Sequence, residues 1–448
     1  MFLFIFGVVV TKQLTKADIF GLGFMTFAFF LGAGNIIFPP KAGMLAGSEA
    51  LPVMLGFLCT AVGLPLLGLF AVAKAGGGIS NMTRLLPPAI GVTISVAIFI
   101  IIGPLIAAPR TALVAYELGV QPFAVVYDDL LLPQWLYSLA FFAIATLLSL
   151  FPGKLMDSIG KILTPLLILL LAVLAISVLF AQGGTVQPTD PAYVASPFTK
   201  GVLDGYNTMD ALASIMFGML IIDLLRKKGI TDFQQQSRYL AISAVIAAAG
   251  LAFVYISLFV LGANFGIAGT SNGGEILVHY VQDKFGLVGM ITLAGVITLA
   301  CLTTAVGLLS ACSDYFASLS KHLSYGHFVL INAVFCMMMA NLELGLLIEL
   351  SIPVLVAVYP IAIALILYTL YSPQITNKKP ALIAILSVAT IFGAIEGIKA
   401  AGVALDALSF LPLYDQGLAW LLPVMSIQLL FMVTGKATRR ERGEGASL

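Results

Sequence analysis

Three stretches of this chain place hydrogen-bonding groups inside runs that are otherwise oily. The first is "FLGAGNIIFPP" at 30–40, which puts two glycines and Asn35 where a membrane helix should be most regular. The second is "DGYNTMDALASIMFG" at 204–218, with Asp204, Tyr206, Asn207, Thr208 and Asp210 ahead of renewed apolar character. The third is "CLTTAVGLLSACS" at 301–313, where Thr303 and Thr304 are adjacent. A helix interrupted in hydrocarbon strands N–H and C=O groups at several kcal/mol each unless a solute, ion or side chain satisfies them. Gly32 and Gly34 lack a Cβ, so the backbone there can leave helical angles and approach a ligand. An outer half-helix starting near Gly34 would offer free N–H groups and about half a positive charge, which suits a carboxylate. An inner half-helix ending near Leu31 would offer carbonyl oxygens to a cation.

The other polar residues extend this chemistry. An ionised Asp210 at mid-depth costs at least about 2.5 kcal/mol on insertion scales, so it needs a cavity or a partner. It reads as a cation or ammonium site, against a structural pairing with a neighbouring hydroxyl or amide. Asp204, nearer the outer surface, reads as solvated. The Thr303–Thr304 hydroxyls suit a hard cation such as sodium, against simple bonding back to their own helix. Arg110 in "APRTA" and Glu349 read either as vestibule gates or as ordinary surface charges. Close helix packing is the competing account of Gly32 and Gly34, but it offers no reason for Asn35.

The elements that must position these residues follow from composition. Of 448 residues, 60% are apolar and 10% charged, against about 25% charged in soluble domains. Runs of twenty or more apolar residues predict an all-α polytopic membrane protein. Twelve spans are expected, at about 18–39, 50–73, 88–109, 133–151, 158–180, 200–225, 238–262, 286–312, 326–341, 344–371, 381–398 and 416–434. With both termini inside, all of the 22 Lys and Arg except Lys41, Arg110, Lys200, Lys284 and Lys399 fall on the inner side, as the positive-inside rule requires.

A net charge of +1 excludes broad attraction to nucleic acid. The three histidines, at 279, 322 and 327, make no metal cluster or zinc signature, and no nucleophile–base set marks an enzyme. Rings of charge or repeated filter loops, which a channel would need, are absent from the sequence. Cys59, Cys301, Cys312 and Cys336 all fall in spans, so no outer-loop disulfide is expected. "AGGGIS" at 75–80 lacks the ending of a phosphate loop. The opening Met1–Val10 is too short to span and reads as an interfacial segment or an upstream start.

The whole chain, 1–448, reads as one membrane domain. Interruptions in the first and sixth spans, which run in opposite directions, are the sequence mark of an inverted-repeat secondary transporter. Repeat one would cover about 14–181 and repeat two about 198–371, with two extra helices at about 380–435.

With these residues assembled, the chain resembles the BrnQ-type branched-chain amino acid carriers of the leucine/isoleucine/valine cation symporter family. The resemblance runs from about Gln13 to Lys436. It is most specific in "LGFMTFAFFLGAGNIIFPP", "GPLIAAPRTA", "SLFPGKLMDSIGK", "DGYNTMDALASIMFG" and "ACLTTAVGLLSACS". It implies import of leucine, isoleucine and valine across the bacterial inner membrane, with sodium or a proton as coupling ion and no other cofactor. It also implies a LeuT-type fold of two five-helix inverted repeats with helices 1 and 6 broken. Gly32, Ala33 and Gly34 would hold the substrate carboxylate. The apolar side chain would sit among residues such as Phe27, Phe30, Ala107 and Met209, with Tyr206, Asn207, Thr208 and Asp210 nearby. Asn35 and Thr208 are similar to ligands of a substrate-adjacent sodium. The carbonyls of Ala28, Leu31 and Ala300, with Thr303 and Thr304, are similar to a second sodium site. In some proton-coupled relatives a lysine on the fifth span replaces that sodium, which makes Lys161 the alternative.

Overall fold

The structure is a computed structural model and describes residues 13–126, 132–151, 156–180, 186–267, 269, 270, 272–403 and 405–441. Met1–Val10, Lys12, Lys154 and Arg442, on which the start-site and charge readings drew, lie outside the described residues. Among the described residues the chain is all-helical. Seven helical stretches are long and apolar enough to cross a membrane, and an eighth is a pair bent by 41°. That pair is Pro197–Tyr206 with Asp210–Lys227, in the sixth expected span.

The first span is broken as its glycines suggest. Helix Lys16–Phe30 starts with a capping box, in which Asp18 N–H donates to Thr15 Oγ1 at 3.1 Å and the Asp18 carboxylate accepts from Thr15 N–H. It stops at Leu31, whose ψ of 81° leaves helical space, and Gly32 is extended. A second helix, Ala33–Ala46, continues the span. In the sixth span the break falls at Asn207–Met209, and Met209 adopts a left-handed φ of 64°. A non-glycine residue there costs of order 1–3 kcal/mol, so the surrounding packing must hold it.

One expected boundary shifts. The third span was expected to end at 109, with Arg110 near the outer surface. Instead Pro88–Ile100 passes through a wide turn at Ile101–Leu105, where Gly103 is non-helical, and resumes as Ala107–Gly119. The Gly103-Pro104 pair supplies the break, because proline removes an N–H and glycine tolerates the resulting angles. Arg110 therefore begins a new helix in the interior. The polar stretch at 263–285 contains a helix that begins at Gly273, capped by Asn272 Oδ1 on Gly274 N–H at 2.8 Å. It bends at Gly286 (φ 59°) into the eighth span. Gly273 seats that helix on the outer half of the first span, since a Cβ there would lie 2.2 Å from the Ile37 carbonyl oxygen.

Candidate functional site

The two broken helices meet. Gly34 lies against the sixth span's break, where a Cβ would approach the Asn207 carbonyl oxygen to 3.2 Å and Thr208 Cα to 3.3 Å. Between the breaks is a small cavity of about 30 Å³. Phe30, Gly32, Ala33, Gly34, Ala107, Thr208, Met209 and Asp210 all line it, as the sequence suggested. So do Asn35 and Thr304 from the expected sodium ligands. The apolar wall is Phe29, Phe30, Ile102, Ala213, Phe217 and Leu308. Phe27 is not part of that wall. It packs on Gly250, where a Cβ would meet its ring at 2.7 Å, because the helix turns consecutive phenylalanines to different faces.

Tyr206 and Asn207 also differ from expectation. They line a separate outer cavity of about 620 Å³, and Tyr206 stacks on Tyr359 with ring centroids 4.1 Å apart. The break divides the sixth span's polar run between Asn207 and Thr208, so only Thr208 and the residues after it reach the inner cavity. Asp204 is not solvated. It accepts from Tyr193 O–H at 2.7 Å and pairs with Lys200 beside the outer cavity.

Asp210, 2% exposed, is the carboxyl group of the inner cavity. One of its oxygens, Oδ2, accepts from Asn35 Nδ2 at 2.7 Å and from the Tyr255 hydroxyl. Asn35 Nδ2 also donates to Tyr255 Oη, and Asn35 Oδ1 accepts from Gly32 N–H at 3.1 Å. The asparagine thus ties the first break to the sixth. It also removes Gly32 from the free donors expected for a carboxylate, leaving Ala33 and Gly34. Tyr255, in helix Phe233–Phe265, was missed by the sequence reading. Its only signal is a hydroxyl in the otherwise oily "AFVYISLFV".

The proposed second cation set converges at the end of the inner half-helix. The Ala28 carbonyl accepts from Thr303 Oγ1 and Thr304 Oγ1, both at 3.1 Å. Thr303 Oγ1 also reaches the Ala300 carbonyl at 2.9 Å. Gly32 is what lets Thr304 approach, since a Cβ there would lie 2.9 Å from its hydroxyl. Leu31 adjoins this cluster as the cap of the inner half-helix. Carbonyls and hydroxyls gathered in this way are the oxygen chemistry that a hard monovalent cation selects.

Lys161 lies elsewhere. Its ammonium pairs with Asp18 at 2.7 Å and Asp157 at 2.9 Å, and Lys228 reaches Asp157 at 3.7 Å. Beside this network Gly160 packs on Gly21, where a Cβ would come within 2.0 Å of the Gly21 carbonyl oxygen. Glu349 is exposed on helix Leu344–Tyr371 and does not line either cavity. Arg110 is 2% exposed and lines the inner cavity. It donates through Nη1 to the Asn207 carbonyl at 3.0 Å and through Nη2 to Ser351 Oγ at 2.8 Å, with Phe38 beneath the guanidinium. Since Asn207 faces the outer cavity and Arg110 the inner one, their hydrogen bond lies in the partition between the two.

Residues 15–438 match the family described as "Branched-chain amino acid transport protein". The chain is 45% identical to the branched-chain amino acid transport system 2 carrier protein of Pseudomonas aeruginosa over 95% of its own length and 98% of that protein's. It is 40% identical to the branched-chain amino acid permease BrnQ of Escherichia coli K12, over 96% and 98% of the two chains. Among solved structures it is similar to a nucleobase-cation-symport-1 family transporter in a closed conformation (TM-score 0.58, 14% identity, 96% and 97% covered). It is also similar to MhsT in complex with L-phenylalanine (TM-score 0.56, 18% identity, 91% and 98% covered). At these identities the structural likenesses establish the fold alone.

Proposed function

The chain belongs to the branched-chain amino acid transport protein family, and from that premise we propose that it is a sodium-coupled importer of leucine, isoleucine and valine. The observation that carries this reading is the cavity at the meeting of the two breaks, lined both by Asp210 and by the apolar Phe30, Phe217 and Leu308. The substrate's ammonium faces Asp210 and the open carbonyl ends of the inner half-helix. Its branched side chain fills the space before Phe30, Phe217 and Leu308. One sodium sits beside the substrate near Asn35, Thr208 and Asp210. A second is held by Ala28, Leu31, Ala300, Thr303 and Thr304. That second ion would draw the inner half-helix toward the eighth span and so couple sodium to the position of the first break.

In the bilayer the chain crosses twelve times, as two inverted five-helix repeats and two further helices, with both termini in the cytoplasm of a bacterial inner membrane. Transport proceeds by alternating access, one group of helices rocking on the other about the two breaks. A second reading is proton coupling through Asp210. It is favoured by one observation: this buried carboxylate has neutral partners, Asn35 and Tyr255, and no ion pair among the described residues. Lys161 fits that role less well, because its ammonium is engaged with Asp18 and Asp157.

Labelled leucine uptake into proteoliposomes, with sodium and pH gradients imposed separately, tests both readings. A sodium gradient alone should accumulate leucine, with unlabelled isoleucine and valine competing. Accumulation driven by a pH gradient without sodium would replace sodium by the proton. No accumulation under either gradient would sink the transporter reading.

A further inference from the structure

Two opposite charges line one buried cavity without meeting each other. Arg110 and Asp210 are each 2% exposed, and both face the space between the helix breaks. Among the described residues no carboxylate lies within the 4.0 Å ion-pair distance of Arg110. A charge withdrawn from water inside a membrane is costly unless it is paired or fully hydrogen-bonded. The protein satisfies Arg110 only in part. Nη1 and Nη2 each have one neutral acceptor, Asn207 O and Ser351 Oγ. Nε–H is buried and has none. A guanidinium presents five donors in a planar fork matched to a carboxylate, so the unfilled part of Arg110 has the shape of a missing anion.

The opposite side of the cavity points the same way. A carboxylate held by backbone alone at the first break would draw on the N–H groups of Gly32, Ala33 and Gly34. Gly32 N–H is already bonded to Asn35 Oδ1. The backbone cradle is therefore one donor short, while a buried cation on the facing helix is one acceptor short. We infer that Arg110 binds the substrate's α-carboxylate, completing a subsite that the Ala33 and Gly34 N–H groups share, so that this carrier accepts only ligands with a free carboxylate. This rests on the amino acid substrate reading and adds to it the group that recognises the acid end. It also gives the substrate a structural task. By drawing on Arg110, already bonded to the sixth and tenth helices, the carboxylate would join the third span to both in the partition between the cavities.

The test compares L-leucine with L-leucinamide, which keeps the ammonium and the side chain but has no negative charge. Affinities are measured directly on the purified full chain in nanodiscs, in sodium buffer. The native protein should bind leucine at least about 100-fold more tightly than leucinamide, the scale of a lost buried charge pair. Arg110→Gln should lose about 100-fold for leucine and less than threefold for leucinamide. Arg110→Lys keeps the charge without the fork and guards against a Gln variant that fails to fold. It should weaken leucine about tenfold, with leucinamide again unmoved. If leucine and leucinamide weaken together in the variants, Arg110 is a brace for the sixth helix and the inference falls. It falls too if the native protein binds the two equally. A native protein that binds neither overturns the substrate reading itself, and this inference with it.

Discussion

Two charged clusters divide the labour in this molecule, one at the inner end of the first helix and one at its break. At the inner end Lys161 bridges Asp18 and Asp157, with side chains 35%, 21% and 54% exposed. At the break Asp210 is held by Asn35 and Tyr255 with almost no exposure and no cation. Both clusters are built on aspartate, but the partners and the surroundings differ. Water screens the first cluster, so its ion pairs are worth about 0–1 kcal/mol each. The second lies in a low-dielectric interior, where every unmade bond is expensive. The formal ion pairs are therefore the weaker interactions. The carboxylate without a counter-charge is the one poised to bind something.

That contrast can be broken experimentally, and the largest effect should come at Asp210. Asp210→Asn should abolish gradient-driven leucine uptake, by 100-fold or more, with protein abundance in the membrane unchanged. Wild-type uptake in that variant would show that the carboxylate is only structural. Gly32→Ala comes next. Its methyl would meet Thr304 at 2.8–2.9 Å, so uptake should fall severely and the sodium concentration for half-maximal uptake should rise. Tyr255→Phe removes one donor to a charged group, worth about 1.5–3 kcal/mol. A roughly ten- to hundredfold loss of leucine affinity is expected, read by direct binding. Thr304→Ala should weaken sodium dependence more than abundance, and an unchanged sodium dependence would remove Thr304 from the mechanism.

The smallest effect belongs to the inner cluster. Lys161→Ala should change uptake by less than about fivefold, in keeping with the modest worth of exposed pairs. Its pH behaviour sharpens the comparison. The hydrogen bond from Lys161 holds the Asp157 carboxyl below its ordinary value of 3.8. A lowered carboxylate stabilises above the unfolded value and is lost only as pH falls through the folded one. The Asp157 pair thus stays intact across pH 5–8, and any pH dependence of uptake in that window must arise from another group. A Lys161→Ala protein with a changed pH profile there would contradict this.

The sequence by itself determined that the protein is helical and membrane-embedded. It also marked both breaks, because the two signals are local: hydrocarbon tolerates few polar residues, and glycine beside asparagine in an apolar run has few other uses. The cavity-lining Phe30, Gly32 to Asn35 and Thr208 to Asp210 were legible for that reason. What only the tertiary structure decided is which distant groups share the cavity. Tyr255 is 45 residues from Asp210, and Ser351 is 241 from Arg110. Spacing along one chain carries no information about such meetings. Arg110 was placed at the outer end of the third span because that span was closed at 109, whereas the helix after the Gly103-Pro104 kink runs on as Ala107–Gly119 and buries it. Tyr206 and Asn207 line the outer cavity while Thr208 lines the inner one, a division between adjacent residues that spacing alone does not show.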